Sequence, residues 1–150
     1  VDLGNMKEQF QEVLAFVEVS KKPEQIKSLY ELLARRTHNI SHKEMPTFEQ
    51  HCDFVKSDPY RVWFLIYLNE HLMGSFYIKN DNSVGLDLQN PDKMSVACII
   101  KFIKDNFKPN EDRKSLVPPY FYINVPSTHD KLKNAIECEC SSHIQLSYKI

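Results

Sequence analysis

Three short segments rich in β-branched and aromatic residues follow one another closely, and they restrict the fold of this chain more than any other feature. The segments are 61–68 (RVWFLIYL), 71–78 (HLMGSFYI) and 83–88 (SVGLDL). Asn69 and Glu70 form a two-residue connection between the first two segments, and Asp81 and Asn82 turn the chain before the third. Connections this short join neighbouring antiparallel strands. The sequence therefore predicts a three-stranded antiparallel meander.

Helix and strand patterns flank the meander on both sides. The predicted elements are a strand at 13–19, helices at 23–36, 47–57 and 95–107, a strand at 120–125, a helix at 127–136 and a final strand at 143–150. Pro23 suits the first turn of its helix, and Thr47 with Gln50 predicts a capping box for the next one. This order predicts an α/β (α+β) fold in which a helical crossover joins an antiparallel half to a parallel half.

Length and composition are typical of one globular domain. The chain has 150 residues, 42% of them hydrophobic, and a formal net charge of −1. One domain with a sizeable core is expected at this length. The balanced charge gives no reason to expect a nucleic-acid surface or a polybasic membrane face. No apolar run approaches the roughly 20 residues of a membrane-spanning helix, so we expect neither a nucleic-acid nor a membrane partner.

The first residues and the cysteines indicate where the protein works. Residues 1–5 (VDLGN) precede Met6, and we expect them to be an added leader, with residues 6–150 forming the domain. The first residues contain no apolar signal-peptide core. The four cysteines are scattered along the chain, so we interpret them as reduced thiols of a cytoplasmic protein.

The order of elements resembles that of the GNAT superfamily of N-acetyltransferases, and local segments share the likeness. These segments are NISHKEMPTFEQHCDFV, the meander itself, FYINVPSTHDKLKNAIE and IQLSYKI. They are similar to bacterial members associated with surface sugars or nucleotide sugars, and the likeness covers residues 10–150. The resemblance implies a single domain with a twisted mixed sheet of six to seven strands and helices on both faces.

The same resemblance implies that acetyl-coenzyme A lies between the fourth and fifth strands. Its pantetheine arm would bond to the backbone at 84–88, and its pyrophosphate would lie on the N-terminus of the following helix. The family motif Q/R-x-x-G-x-G/A matches residues 92–97, where Asp92 and Ser95 replace the usual first residue and the first glycine, which makes the loop degenerate. The implied cofactor-binding residues are Leu86, Leu88, Lys93, Met94, Ser95, Val96, Ala97 and Asn124.

Catalysis in this family needs a general base for the acceptor amine and a backbone N–H at a bulge in strand four for the thioester carbonyl. Asp87 is one base candidate, because it alternates to the sheet face of Gly85, where a bulge could lie. His42 and His51 are two more, since they flank the second helix and histidine titrates near neutral pH. Each of these three could instead be structural or exposed, and the remaining base candidates are His38 and Glu49. The family's acidic tyrosine has no match, because residues 127–137 contain no tyrosine.

Four aromatic residues lie on the predicted strands that flank the cleft, where they could stack on an acceptor, although such residues are more often part of a core. They are Tyr60, Trp63, Tyr77 and Tyr122. No metal site is expected, because the histidines show no regular ligand spacing and a single residue separates Cys138 from Cys140.

The resemblance therefore implies an N-acetyltransferase that moves the acetyl group of acetyl-coenzyme A to a primary amine of a small molecule, such as an amino sugar nucleotide. Two alternatives stay open. One is a degenerate, non-catalytic member of the fold that binds a ligand or a partner. The other is a subunit that forms a homodimer through a sheet edge or its C-terminal strand.

Overall fold

The structure is a computed structural model that describes residues 14–36, 44–111, 116–137, 139–142 and 145–150. The predicted leader at residues 1–5 lies outside the described residues. The described residues form five strands and four helices. In chain order they are β1 (Leu14–Glu18), α1 (Pro23–Ala34), α2 (Phe48–Lys56), β2 (Val62–Leu68), β3 (His71–Ile78), β4 (Ser83–Leu88), α3 (Lys93–Asn106), β5 (Tyr122–Ile123) and α4 (Asp130–Glu137).

The strands form one mixed sheet in the order β1-β2-β3-β4-β5. Neighbours from β1 to β4 are antiparallel, whereas β4 and β5 are parallel. The chain passes from β4 to β5 through α3, which is the crossover that a parallel pair requires. The predicted meander and the mixed α/β character are therefore confirmed.

The sheet separates two hydrophobic clusters. Leu65 packs with residues of α1 and α2, including Ile26, Leu29 and Val55. Ile66, the next residue of β2, packs in the cluster of α3 and α4 instead. Because successive side chains of a strand point to opposite faces, the two helix pairs cover opposite faces of the sheet.

Two predicted strands differ from the structure. Residues 145–150 form no strand, and their apolar side chains Leu146, Tyr148 and Ile150 are exposed. The predicted sheet of six to seven strands is thus not confirmed, because the described residues supply five. Alternating residues favour a strand but do not provide the neighbouring backbone with which a strand must bond. The fifth strand is also shorter than the predicted 120–125, and it stops well before Pro126, which has no N–H to donate.

The predicted bulge at Gly85 is wrong. Gly85 pairs regularly with Tyr77, and β4 keeps its register with β3 from Val84 to Leu88. The irregularity of the sheet lies in β2, between Ile66 and Tyr67. A Cβ added at Gly85 would overlap the ring of Tyr77, so the glycine makes room for a side chain of the neighbouring strand.

Candidate functional site

A gap opens between β4 and β5 after their first residues. The two strands pair at only two positions, Ser83 with Tyr122 and Val84 with Ile123. β5 then ends, whereas β4 continues to Leu88. Within the described residues, the later part of β4 therefore has a strand partner on its β3 side alone.

The hydrogen-bond alternation along β4 shows which backbone groups face this gap. Lys79 donates its N–H to the carbonyl of Ser83 (2.9 Å), and Gln89 donates to Met73 (3.2 Å), so odd-numbered residues bond to β3. Backbone groups of successive strand residues point in opposite directions within the sheet. The N–H and C=O groups of Leu86 and Leu88 are thus directed to the side of the gap.

The N-terminus of α3 is capped by a carboxylate of the chain itself. Asp92 accepts hydrogen bonds from the Ser95 N–H (2.8 Å) and from the Ser95 hydroxyl (3.0 Å). This is the usual N-cap arrangement, in which a side-chain oxygen satisfies one of the free N–H groups of the first turn. The positive end of the helix, where an anion would otherwise bind, already has a negative partner.

An open depression of about 490 Å³ lies between the N-terminus of α3 and α4. Its lining includes Lys93 and Lys131, both exposed, together with Asp92 and Asn134. Two cations and one carboxylate thus face a space beside the helix N-terminus. The depression could accept an anionic group on its lysine side, while Asp92 would repel it.

The other predicted cofactor residues are distributed unevenly. Ser95 and Val96 are buried, and the Val96 side chain belongs to the core cluster of α3 and α4. Met94 is exposed, Ala97 is half-buried, and Asn124 is exposed directly after β5. The side chain of Val96 is therefore committed to packing, whereas Met94 and Asn124 remain accessible.

Asp87 lies on the opposite sheet face from the α3 cluster and forms an ion pair with Arg36. The distance from Arg36 Nη2 to Asp87 Oδ2 is 2.8 Å, and the two side chains are 29% and 19% exposed. Asp87 is paired with Ser75 of β3 and shares the face of Gly85, as the alternation predicts. No local sequence pattern predicts this pair, because its partners are 51 residues apart.

Stacked aromatic rings adjoin this ion pair. The rings of Tyr60 and Tyr77 lie 3.8 Å apart and nearly parallel, and Trp63 meets Tyr60 edge-on. Burial raises the pKa of Tyr60 above its ordinary value, and the neighbouring Tyr77 adds a smaller rise. The charge of Arg36 acts in the opposite direction. The Tyr60 phenol therefore stays protonated at neutral pH and can donate a hydrogen bond.

The four predicted cleft aromatics thus fall into two groups. Tyr60, Trp63 and Tyr77 are gathered on the α1–α2 face of the sheet. Tyr122 lies apart on β5, paired with Ser83 of β4. The indole N–H of Trp63 is buried and has no hydrogen-bond partner among the described residues.

His51 is buried between α1 and α2. Its Nε2 lies 3.1 Å from the carbonyl oxygen of Ile26, and its ring packs at 5.2 Å from that of Tyr30. One ring nitrogen is therefore committed to a backbone partner, which gives His51 a role in joining the two helices. Its function as a general base stays a prediction, and His42 lies outside the described residues.

The burial of His51 has a consequence for stability that can be measured. Burial lowers the pKa of His51 below 6.5, although the hydrogen bond to Ile26 acts in the opposite direction. The unfolded chain then binds more protons than the folded chain below pH 6.5, so the free energy of unfolding should fall as the pH drops from 6.5 toward the folded-state pKa. Urea denaturation across this range tests the expectation.

The matched control for this prediction is His71, which is exposed at the start of β3. In His51→Gln this part of the pH dependence should disappear, whereas in His71→Gln it should persist. A His51 ring that titrates at or above its ordinary value by nuclear magnetic resonance would contradict the prediction, even if the variant does not fold.

Asn82 is a structural residue of the site that the sequence indicated only as a turn. It is fully buried and has a positive φ of 68°. Its Nδ2 donates to the carbonyls of Asn110 (2.9 Å) and Pro118 (2.7 Å), and its Oδ1 accepts from the Asn110 N–H (2.7 Å). Its own carbonyl accepts from the N–H of Tyr122 (3.2 Å). Asn82 thus fixes the connection before β5 against the turn that precedes β4.

Comparisons with known proteins add no family assignment. No protein-family model matches the chain, and no curated protein shows significant similarity to it. The described histidine, cysteine, aspartate and glutamate side chains form no group of three that could hold a metal ion. Among the described residues, no helix combines the length and apolar character needed to cross a bilayer.

Proposed function

We propose that the protein is an N-acyltransferase of the GNAT type, which transfers an acetyl group from acetyl-coenzyme A to a primary amine of a small molecule. The observation that carries the proposal is the gap between β4 and β5. Backbone groups of Leu86 and Leu88 face that gap, and the N-terminus of α3 follows β4 directly. An amino sugar nucleotide is the acceptor that the sequence resemblance favours.

The chemistry asks little of the protein beyond positioning. The amine nitrogen would form a C–N bond to the thioester carbonyl, the C–S bond would break, and one proton of the amine would pass to the coenzyme A sulfur, which leaves as a thiol. Extended backbone at Leu86 and Leu88 could bond to the amide groups of a pantetheine arm. Asp87 lies between these two residues. Of the predicted general bases, it is the one that lies on β4 itself.

The backbone of β4 suits the pantetheine arm of the cofactor better than the N-terminus of α3 suits its pyrophosphate. Lys93 and Lys131 would supply positive charge for the phosphates. Asp92 would oppose them, because its carboxylate already occupies the helix N-terminus. This one observation favours a second candidate function, a non-catalytic protein of the same fold that binds a different ligand in the gap.

Titration calorimetry with acetyl-coenzyme A tests the proposal, and Asp92→Asn sharpens it. Asparagine caps a helix about as well as aspartate, so the variant removes the charge and keeps the cap. Removing one like charge near the phosphates should tighten binding by about fivefold, since such a contact is worth about 1 kcal/mol in water. The variant Asp105→Asn, on the exposed side of α3, makes the same charge change away from the depression and should bind like the unaltered protein.

Each outcome separates the two candidate functions. Binding of acetyl-coenzyme A together with release of free thiol in the presence of amines supports the acyltransferase. Binding without turnover over a wide panel of amines supports the non-catalytic protein. Absence of binding at millimolar cofactor by both the unaltered protein and Asp92→Asn would rule out the acyltransferase.

A further inference from the structure

We infer that the Arg36–Asp87 pair is the recognition site for the acceptor, and that the acceptor carries both an amino group and an anionic group. The inference rests on the proposed function, because it names the substrate class of the same site. In this arrangement the acceptor ammonium would bind Asp87 and its carboxylate or phosphate would bind Arg36.

The burial of this ion pair distinguishes it from the others. The structure describes three ion pairs, and the partners of the other two are at least 40% exposed. Lys21–Asp58 and Lys101–Asp105 have the exposure of ordinary surface pairs, which contribute little to stability. Arg36 and Asp87 are partly withdrawn from water, yet both keep some accessible surface. Partly desolvated charges bind a charged ligand more strongly than fully solvated ones do.

The position of Asp87 places the pair next to the proposed reaction site. Asp87 lies between Leu86 and Leu88, whose backbone groups face the gap on the β5 side. A strand residue and its neighbours are about 3.3 Å apart along the chain. An amine held at Asp87 would therefore lie within a few ångströms of a thioester bound along this part of β4.

Both members of the pair have bonding capacity left for a ligand. The hydrogen bond between them uses one guanidinium nitrogen and one carboxylate oxygen. A guanidinium has five N–H donors, and a carboxylate offers about four acceptor positions. A bound ammonium would give the pair a net charge of +1, and an anionic group on the same acceptor would neutralise that charge through Arg36.

The stacked rings of Tyr60 and Tyr77 provide an apolar surface beside the pair, on which the rest of the acceptor can pack. Tyr77 lies over Gly85, two residues from Asp87 on the same sheet face, and Tyr60 stacks on Tyr77. Arg36 bonds to Asp87 on the same sheet face, and its positive charge opposes the rise in the pKa of Tyr60. Ring edges and a protonated phenol suit a sugar ring or a short carbon chain with hydroxyl groups.

Binding of matched amines without any cofactor tests the inference independently of acetyl transfer. Glucosamine 6-phosphate is compared with glucosamine, and serine with ethanolamine, so that each pair differs in one anionic group. We expect the anionic member of at least one pair to bind about tenfold more tightly, and the pair that shows the preference identifies phosphate or carboxylate as the anion.

Variants then assign the preference to the two residues. Arg36→Gln should remove the preference for the amine that carries the anionic group, because Asp87 binds only the ammonium that both members of a pair share. Asp87→Asn should weaken both amines about tenfold. The matched control Lys101→Gln removes a cation from the exposed side of α3 and should retain the preference.

Equal binding of the amines with and without the anionic group by the unaltered protein would overturn the inference, and this result needs no variant to fold. A preference that survives in Arg36→Gln would overturn it as well. If the preference is present but acetyl-coenzyme A does not bind, the recognition site stands and the acyltransferase proposal fails. The two failures are therefore distinguishable.

Discussion

Replacing Asn82 by alanine is expected to lower the free energy of unfolding by about 2–4 kcal/mol, because the variant leaves buried hydrogen-bonding groups without their partner. Three hydrogen bonds depend on this side chain, two to carbonyl oxygens and one from the N–H of Asn110. Its backbone also has a positive φ, which asparagine tolerates better than alanine. Chemical denaturation measures the loss.

Asn69 provides a matched control for the Asn82 variant. It also has a positive φ, 48°, but it is exposed in the turn between β2 and β3. Asn69→Ala should therefore cost only the backbone contribution, about 1 kcal/mol. If Asn82→Ala costs no more than Asn69→Ala, the buried hydrogen bonds contribute nothing and the expectation is wrong.

Loss of the Asn82 side chain should also weaken the pairing of β4 with β5 at the proposed cofactor site. Asn82 holds Asn110 and Pro118 of the connection that leads to β5, and its backbone carbonyl bonds directly to Tyr122. Hydrogen exchange at the Tyr122 amide should become faster in Asn82→Ala and stay unchanged in Asn69→Ala. Unchanged exchange in both variants would show that the pairing of β4 with β5 does not depend on Asn82.

The second large effect is expected for Gly85→Ala, which should lower the free energy of unfolding by about 1–3 kcal/mol through overpacking. The added Cβ would overlap the ring of Tyr77, which stacks on Tyr60. The ring must move, which disturbs the Tyr60–Tyr77 stack that lies beside Asp87. Thermal and chemical denaturation measure the loss, and the amine-binding assay measures the disturbance of the site.

A double-mutant cycle identifies Tyr77 as the cause. In the background Tyr77→Ala the overlapping ring is gone, so Gly85→Ala should cost much less than it costs in the unaltered protein. Gly74→Ala is the contrasting control, because its added Cβ would overlap the backbone carbonyl of Asp87 rather than a side chain. Tyr77→Ala should not relieve Gly74→Ala. Equal costs of Gly85→Ala in both backgrounds would contradict the explanation.

Local patterns were sufficient to predict most of the helices and strands. The meander was predictable because the two connections are too short for anything but antiparallel neighbours. The capping box of α2 was predictable because Thr47 and Gln50 are three residues apart and bond within one turn. The alternation along β4 also predicted that Asp87 shares the face of Gly85.

The predictions that failed needed a partner from elsewhere in the chain. Residues 145–150 alternate like a strand, but none of the described strands bonds to them. Glycine is common at bulges, but Gly85 lies in a regular strand, where the absence of a side chain leaves room for Tyr77 of the adjacent strand. In both cases the residue pattern indicated a local backbone conformation, whereas the neighbouring strand or side chain depended on how the whole chain packs.

The sequence by itself determined the order of the elements, the antiparallel half of the sheet and the unusual carboxylate at the start of α3. Only the tertiary structure decided that Arg36 meets Asp87 and that Asn82 fixes the connection before β5. The physical reason is distance along the chain. Propensities, caps and short turns act within a few residues, whereas an ion pair between residues 51 positions apart depends on how the whole chain packs.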